Sequence, residues 1–108
     1  MKTANVLGVR YTIEDATEQK YPYLSKVDGF CDTSIKRIVI RKFKPSEDSI
    51  KDLESYRRKC IRHELIHAFL FESGLDINSD WARNEEIVDW IAIQSPKLSK
   101  LFTQLGIN

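Results

Sequence analysis

Histidine and cysteine are both scarce here, with two of each in 108 residues. Cys31 and Cys60 form no spacing that reads as a disulfide framework or a four-thiolate zinc site. They fit free thiols in a reducing cytosol. Glycine (four) and proline (three) are also sparse, and no linker, internal repeat or low-complexity segment stands out. No apolar run reaches the length of a membrane span. The opening Met1-Lys2-Thr3-Ala4-Asn5 leads into no long apolar stretch, so no secretory signal is expected. An excess of one charge is missing too. The formal net charge is +1, which points to neither a nucleic-acid nor a membrane partner. Basic residues gather at Lys36, Arg37, Arg41, Lys42 and Lys44, and again at Arg57, Arg58, Lys59 and Arg62. Acidic residues offset them and no stacking aromatics accompany them, so both groups read as solvated faces.

The length suggests one domain over residues 1–108, and a hydrophobic content of 42% suffices for a small core. Residues 4–13 are rich in β-branched and aromatic types and read as a strand, with Gly8 as a bulge. Residues 14–22 read as a loop or short helix ending at Pro22. Residues 23–31 and 35–43 read as a hairpin across Asp32-Thr33-Ser34. In its second arm Ile38 and Ile40 share one face, and Arg37, Val39 and Arg41 the other, as in a sheet with one side packed on helices.

A long helix is expected from Pro45-Ser46-Glu47-Asp48, capped by Ser46, to Ser73, with Gly74 as its stop. Ile50, Leu53, Tyr56 (or Arg57), Cys60 and Ile61 trace its buried side. A second helix, capped by Asp80 or Ser79, runs to about Gln94 or Ser95 and ends before Pro96. A last helix covers about Lys97 to Leu105, with Leu98, Leu101, Phe102 and Leu105 as a core-packing stripe. Trp81 and Trp90 read as packing anchors. The fold class is therefore α+β. A small antiparallel sheet of about three strands packs on a long helix and a second antiparallel helix, with a short C-terminal helix added.

Both histidines fall in one stretch, Arg62-His63-Glu64-Leu65-Ile66-His67. Positions four apart on a helix lie one above the other, so His63 and His67 share a face and can grip one tetrahedral zinc ion. Glu64 stands beside the first of them, placed to take a proton from a water held by the metal. The run from Leu65 to Phe71 is apolar nearly all round, as in a helix buried within a fold. Burying Glu64 and two imidazoles there costs several kcal/mol unless they are paired or bind a metal. Two core histidines hydrogen-bonded to neighbours is the plainer alternative.

A tetrahedral site needs a third protein ligand, and with no third histidine it must be Glu, Asp or Cys. Asn84-Glu85-Glu86-Ile87-Val88-Asp89 supplies the best candidate. Glu85 and Asp89 are four apart and share a helical face. Glu85 can bind the metal while Asp89 holds the far nitrogen of a ligand histidine. Glu86 points about 100° away and ranks lower. Cys60, three residues before His63, can also approach a metal, though a buried core cysteine is commoner.

His63-Glu64-Leu65-Ile66-His67 followed by Asn84-Glu85-x-x-x-Asp89 resembles the paired motifs of the gluzincin metallopeptidases, the thermolysin-like group in particular. The resemblance covers roughly residues 60 to 90, and the spacing between the two halves is also similar. It implies a zincin-like fold with one zinc ion per chain, His63, His67 and Glu85 as ligands, Glu64 as general base and Asp89 as the supporting carboxylate. Thermolysin-like enzymes steady the transition state with a His and a Tyr from a further domain, which this chain has no room for. Tyr56 and Arg83 are the candidates for that role here. In size and layout the chain is more similar to compact intracellular metallopeptidases of phages and mobile elements, some of which cleave a repressor. Those usually space the third ligand further from the second histidine.

The resulting expectation is a cytoplasmic zinc metalloendopeptidase that hydrolyses a peptide bond in a specific protein or peptide partner. Alternatives are a non-catalytic zinc-binding domain with a regulatory or scaffold role, and a metal-free binding module using the basic hairpin.

Overall fold

A computed structural model describes residues 2–45 and 51–108. Its fold is α+β, with a four-stranded mixed sheet packed against helices. The strands are β1 (Lys2–Val6), β2 (Val9–Ala16), β3 (Gly29–Asp32) and β4 (Arg37–Arg41). They lie side by side in the order β1-β2-β4-β3. The helices are α1 (Leu53–Glu72), the single turn α2 (Leu75–Asn78) and α3 (Glu85–Leu105), with 3-10 turns at Pro22–Ser25 and Asp80–Arg83. No helix among the described residues is long and apolar enough to cross a membrane.

The sheet corrects the expectation of about three antiparallel strands. Residues 4–13 are not one strand with a bulge. Leu7 and Gly8 both take positive φ, 50° and 89°, and the chain reverses there in a two-residue turn that pairs Val6 with Val9. Positive φ at both central positions matches the twist of the flanking strands. Asn5 Oδ1 accepts from the Gly8 amide at 2.7 Å and steadies the turn. The polar stretch from residue 14, expected to be loop or short helix, continues as β2 as far as Ala16.

The second hairpin is present with shorter arms, β3 pairing antiparallel to β4. β4 then inserts beside β2 and runs parallel to it, Thr12 opposite Arg37 and Ala16 opposite Arg41. This parallel pair is what makes the sheet mixed. Ile38 and Ile40 are fully buried on the helix side with Tyr11, Ile13, Cys60 and Ala68. Val39 is equally buried on the other side, under Leu24 and Ala16. The face expected to be mixed is thus closed by the Pro22–Ser25 turn, with Tyr21, Val27 and Phe30 around it.

α1 is capped by Asp52, whose side chain accepts from the Ser55 amide at 3.1 Å. The expected Ser46 cap, the acidic turn at Glu47 and Asp48, and the packing of Ile50 lie outside the described residues. The chain then reverses through Gly74, at φ 85°. α3 starts later than expected. Its cap is Asn84, not Ser79 or Asp80, and Asn84 Oδ1 accepts from the Ile87 amide at 2.9 Å. Glu85 is therefore the first residue of α3 rather than a turn inside it. Contacts between α1 and α3 run in opposite sequence order, Lys59 and Arg62 meeting Asp89 and Ala92 while His67 meets Glu85. The two helices are antiparallel, as expected.

Pro96 does not end this helix. α3 runs through it to Leu105, so the separate last helix is a continuation. A proline inside a helix leaves the carbonyl four residues earlier without its partner. That carbonyl belongs to Ala92, and Arg62 Nε of α1 donates to it at 2.7 Å. A neighbouring helix thus supplies the hydrogen bond the proline removes. The expected core stripe is not buried. Leu98, Leu101, Phe102 and Leu105 are all exposed, as are Trp81 and Trp90. Nothing in the described chain reaches over the end of α3 to cover them.

Candidate metal centre

His63 and His67 sit mid-way along α1, where the helix passes under the sheet. Their Nε2 atoms are 3.2 Å apart. Glu85 reaches across from the start of α3, its Oε2 2.9 Å from His63 Nε2 and its Oε1 2.9 Å from His67 Nε2. Asn84 caps α3 and so fixes where its first turn begins, which sets Glu85 opposite the histidines.

The donor chemistry constrains what lies among these atoms. His63 Nδ1 is 2.9 Å from Asp89 Oδ1. That nitrogen therefore donates to the carboxylate, which turns Nε2 towards Glu85 and His67. Burial lowers the pKa of His67, favouring its neutral form. Two imidazole Nε2 atoms and a carboxylate this close suit a cation or a shared proton between them. Ligand atoms each about 2.0–2.1 Å from a tetrahedral zinc stand roughly 3.3 Å apart. The separations of 2.9 to 3.2 Å suit one such ion after a small adjustment. Among the described residues His63, His67 and Glu85 can place donor atoms within 4.8 Å of one another. An ion of tetrahedral preference held by these three residues would keep one position free.

Asp89 is held in turn by Lys59, whose Nζ donates to Oδ1 at 3.0 Å. Burial works to raise the Asp89 carboxyl, but the hydrogen bonds from His63 and Lys59 outweigh it and hold it below its usual value. Lys59 escaped the sequence reading, which put it on a solvated face. Its position four residues before His63, on the same side of α1, was the available signal.

Glu64 is one of two buried charged side chains among the described residues. Its Oε2 lies 4.0 Å from His63 Nε2. Burial pushes its carboxyl up to about 7, partly offset by His63 and reinforced by the charge of Glu85. Gly29 of β3 faces Glu64 at ordinary contact range, and the neighbours that require glycine there lie within the sheet. A Cβ there would stand 3.6 Å from Glu64 Cγ, and 3.0 Å from both the Val39 carbonyl and Ile40 Cδ1.

The residues open onto a cleft of about 510 Å³ between β3, α1 and the start of α3, continuous with a second hollow that reaches His67 and Phe71. Tyr56 lines this cleft and donates its hydroxyl to Asp28 Oδ2, an anchor the sequence did not reveal. Its ring packs edge-on against Phe43. Arg83 is not brought to the cleft. It bonds to Asp80 Oδ1 at 2.7 Å and to the Asp76 carbonyl. Glu86 and Cys60 line the cleft but stand outside the donor group. Burial pushes the Cys60 thiol up to about 11, where it stays protonated. The chain has no significant match among protein-family models, curated proteins or solved structures.

Proposed function

We propose that this chain is a zinc-dependent metalloendopeptidase of gluzincin type, cutting a peptide bond in a specific protein partner. The observation that carries the reading is the convergence of Glu85 and Asp89 on the two histidines, from a different helix and on opposite nitrogens of His63. His63, His67 and Glu85 would hold the zinc ion, which supplies Lewis acidity to a carbonyl and lowers the pKa of a water to roughly 7.

The chain's own residues supply the rest. Glu64, buried beside His63 and open to the cleft, accepts the proton of the attacking water and passes it to the leaving amine. Asp89 and Lys59 fix the ring of His63 with its Nε2 towards Glu85. Among the described residues β3 ends the sheet on the cleft side, paired only to β4, so an extended substrate adds to this edge by main-chain hydrogen bonds. Arg83 is not among the residues that line the cleft, and it is bonded to Asp80. Tyr56 remains the candidate for steadying charge on the carbonyl oxygen, and would have to leave Asp28 to do so. The cleft is open and has few walls, which favours selection of one partner by its main chain and shape over broad digestion. Two free cysteines suit a reducing compartment such as the cytoplasm.

The test is hydrolysis of a proteome-derived peptide mixture by the zinc-loaded chain, read by mass spectrometry beside Glu64→Gln. New termini that are lost with Glu64→Gln, while zinc content and melting temperature hold, support the reading. Equal cleavage by both proteins would remove Glu64 as general base.

A further inference from the structure

The cleft differs between its two sides. The His63 side carries both of its lysines, Lys26 and Lys59, with Asp28, Glu86 and Asp89. The hollow on the His67 side, of about 580 Å³, is lined by no lysine or arginine. It has three carboxylates, Glu64, Asp76 and Glu85, and three aromatic rings, Tyr23, Phe30 and Phe71.

Glu64 and Glu85 belong to the candidate metal centre, where a divalent ion would balance them. Asp76, in the single turn α2 just past α1, is left over. Its carbonyl accepts from Arg83, whose charge is answered by Asp80 at 2.7 Å. Its carboxylate makes no hydrogen bond or ion pair among the described residues. Glu64 faces the same hollow at 8% exposed and likewise makes no hydrogen bond there. Carboxylates left without donors in a walled hollow draw a cation to it.

Two of the rings have no place in the core. Phe71 is half-buried yet packs into none of the core, and Tyr23 is 56% exposed. Tyr23 leans on Phe30 with ring centroids 5.9 Å apart. Lys36 stands 5.0 Å from the Phe71 ring, but Glu72 answers its charge at 2.8 Å. Aromatic faces beside a carboxylate suit a guanidinium or ammonium group, and a guanidinium best because it also stacks.

We infer that this hollow takes a basic side chain, arginine above all, from an extended peptide bound along β3, with Asp76 as its ion partner and Tyr23 and Phe71 against it. β3 turns Gly29 and Cys31 towards α1, and a strand laid beside it turns alternate side chains the same way. That brings one residue of the peptide over the hollow, next to the donor group. That the peptide is a substrate rests on the peptidase reading, whereas the selection of charge does not.

Binding and cleavage measured side by side test the inference. Fluorescence anisotropy follows labelled peptide pools of about eight residues, randomised except for one fixed Arg, Leu or Glu, on the Glu64→Gln chain supplied with zinc. The Arg pool is expected to bind about tenfold tighter than the Glu pool, and less so as salt rises. Asp76→Asn should abolish that preference and Asp76→Lys invert it, with the circular dichroism melt and zinc content unchanged. Tyr23→Ala, at an exposed ring, should weaken the Arg pool alone. Equal binding of the pools, binding of none, or a preference that survives Asp76→Asn overturns the inference. The wild type is offered the same pools and read by mass spectrometry. Cleavage with no excess beside basic residues overturns the inference and leaves the peptidase reading standing. An Asp76-dependent Arg preference without cleavage supports the hollow as a cation site and removes the peptidase reading.

Discussion

Glu85 Oε2 stands 2.9 Å from His63 Nε2, although the two residues are 22 apart in sequence and on different helices. The same imidazole meets Asp89 through its other nitrogen. One ring is thus clamped between two carboxylates of one helical face, and its orientation follows from α3 rather than from α1.

Removing the clamp should loosen the metal before it disturbs the fold. Asp89→Asn keeps the shape but loses the charge that holds the His63 ring, and should weaken zinc affinity by about 10–100-fold. Lys59→Met acts one step further out, through Asp89, and should weaken it less. Competition with a chromogenic chelator reads both. Equal affinity in wild type and Asp89→Asn would mean that Asp89 serves only to bind Lys59.

Arg62 and Pro96 should be energetically coupled. Arg62→Met leaves the buried Ala92 carbonyl without a donor, a loss of about 1–3 kcal/mol. In a Pro96→Ala background the new amide at position 96 can bond to that carbonyl, and the same Arg62 substitution should cost clearly less. Urea unfolding of the four proteins gives the coupling, and an identical cost in both backgrounds would show that Arg62 does not serve the break at Pro96.

Acid should destabilise the chain through two carboxylates remote from the metal centre. Lys20 first, then Tyr21, hold the Glu14 carboxyl below its usual value, at 2.8 and 2.5 Å. Lys36 and then the hydroxyl of fully buried Tyr11 do the same for Glu72, at 2.8 and 2.6 Å. A carboxyl whose folded pKa is depressed contributes stability above its unfolded value near 4.5, and loses it as pH falls through the folded one. Unfolding free energy should therefore drop from about pH 4.5 downward. The drop should be shallower in Glu72→Gln, and an unchanged slope there would remove Glu72 from the account.

The clustering of His63, His67, Glu85 and Asp89 was legible because its information is local. Two histidines four apart, and a glutamate and aspartate four apart, each define a helical face without reference to the rest of the chain. The sheet was not legible to the same degree. Pairing β2 parallel to β4 joins Thr12 to Arg37 across an intervening turn and strand, and alternation within either strand does not choose that neighbour. The Leu7-Gly8 turn was hidden because leucine is not a usual residue at positive φ. Pro96 was read as a stop because its rescue by Arg62 is a contact between helices. The stripe of Leu98, Leu101 and Leu105 was read as core because an amphipathic face looks the same whether it meets its own fold or another molecule.

Metal content per chain tests the central claim most directly. Protein purified without added metal or affinity-tag chelation should carry close to one zinc ion per chain by inductively coupled plasma mass spectrometry. Glu85→Ala should lose most of it while keeping the wild-type circular dichroism spectrum. Zinc retained in full by Glu85→Ala would take the third ligand away from α3. A wild type that neither carries nor takes up metal would leave His63 and His67 sharing a proton with Glu85, and would contradict the account.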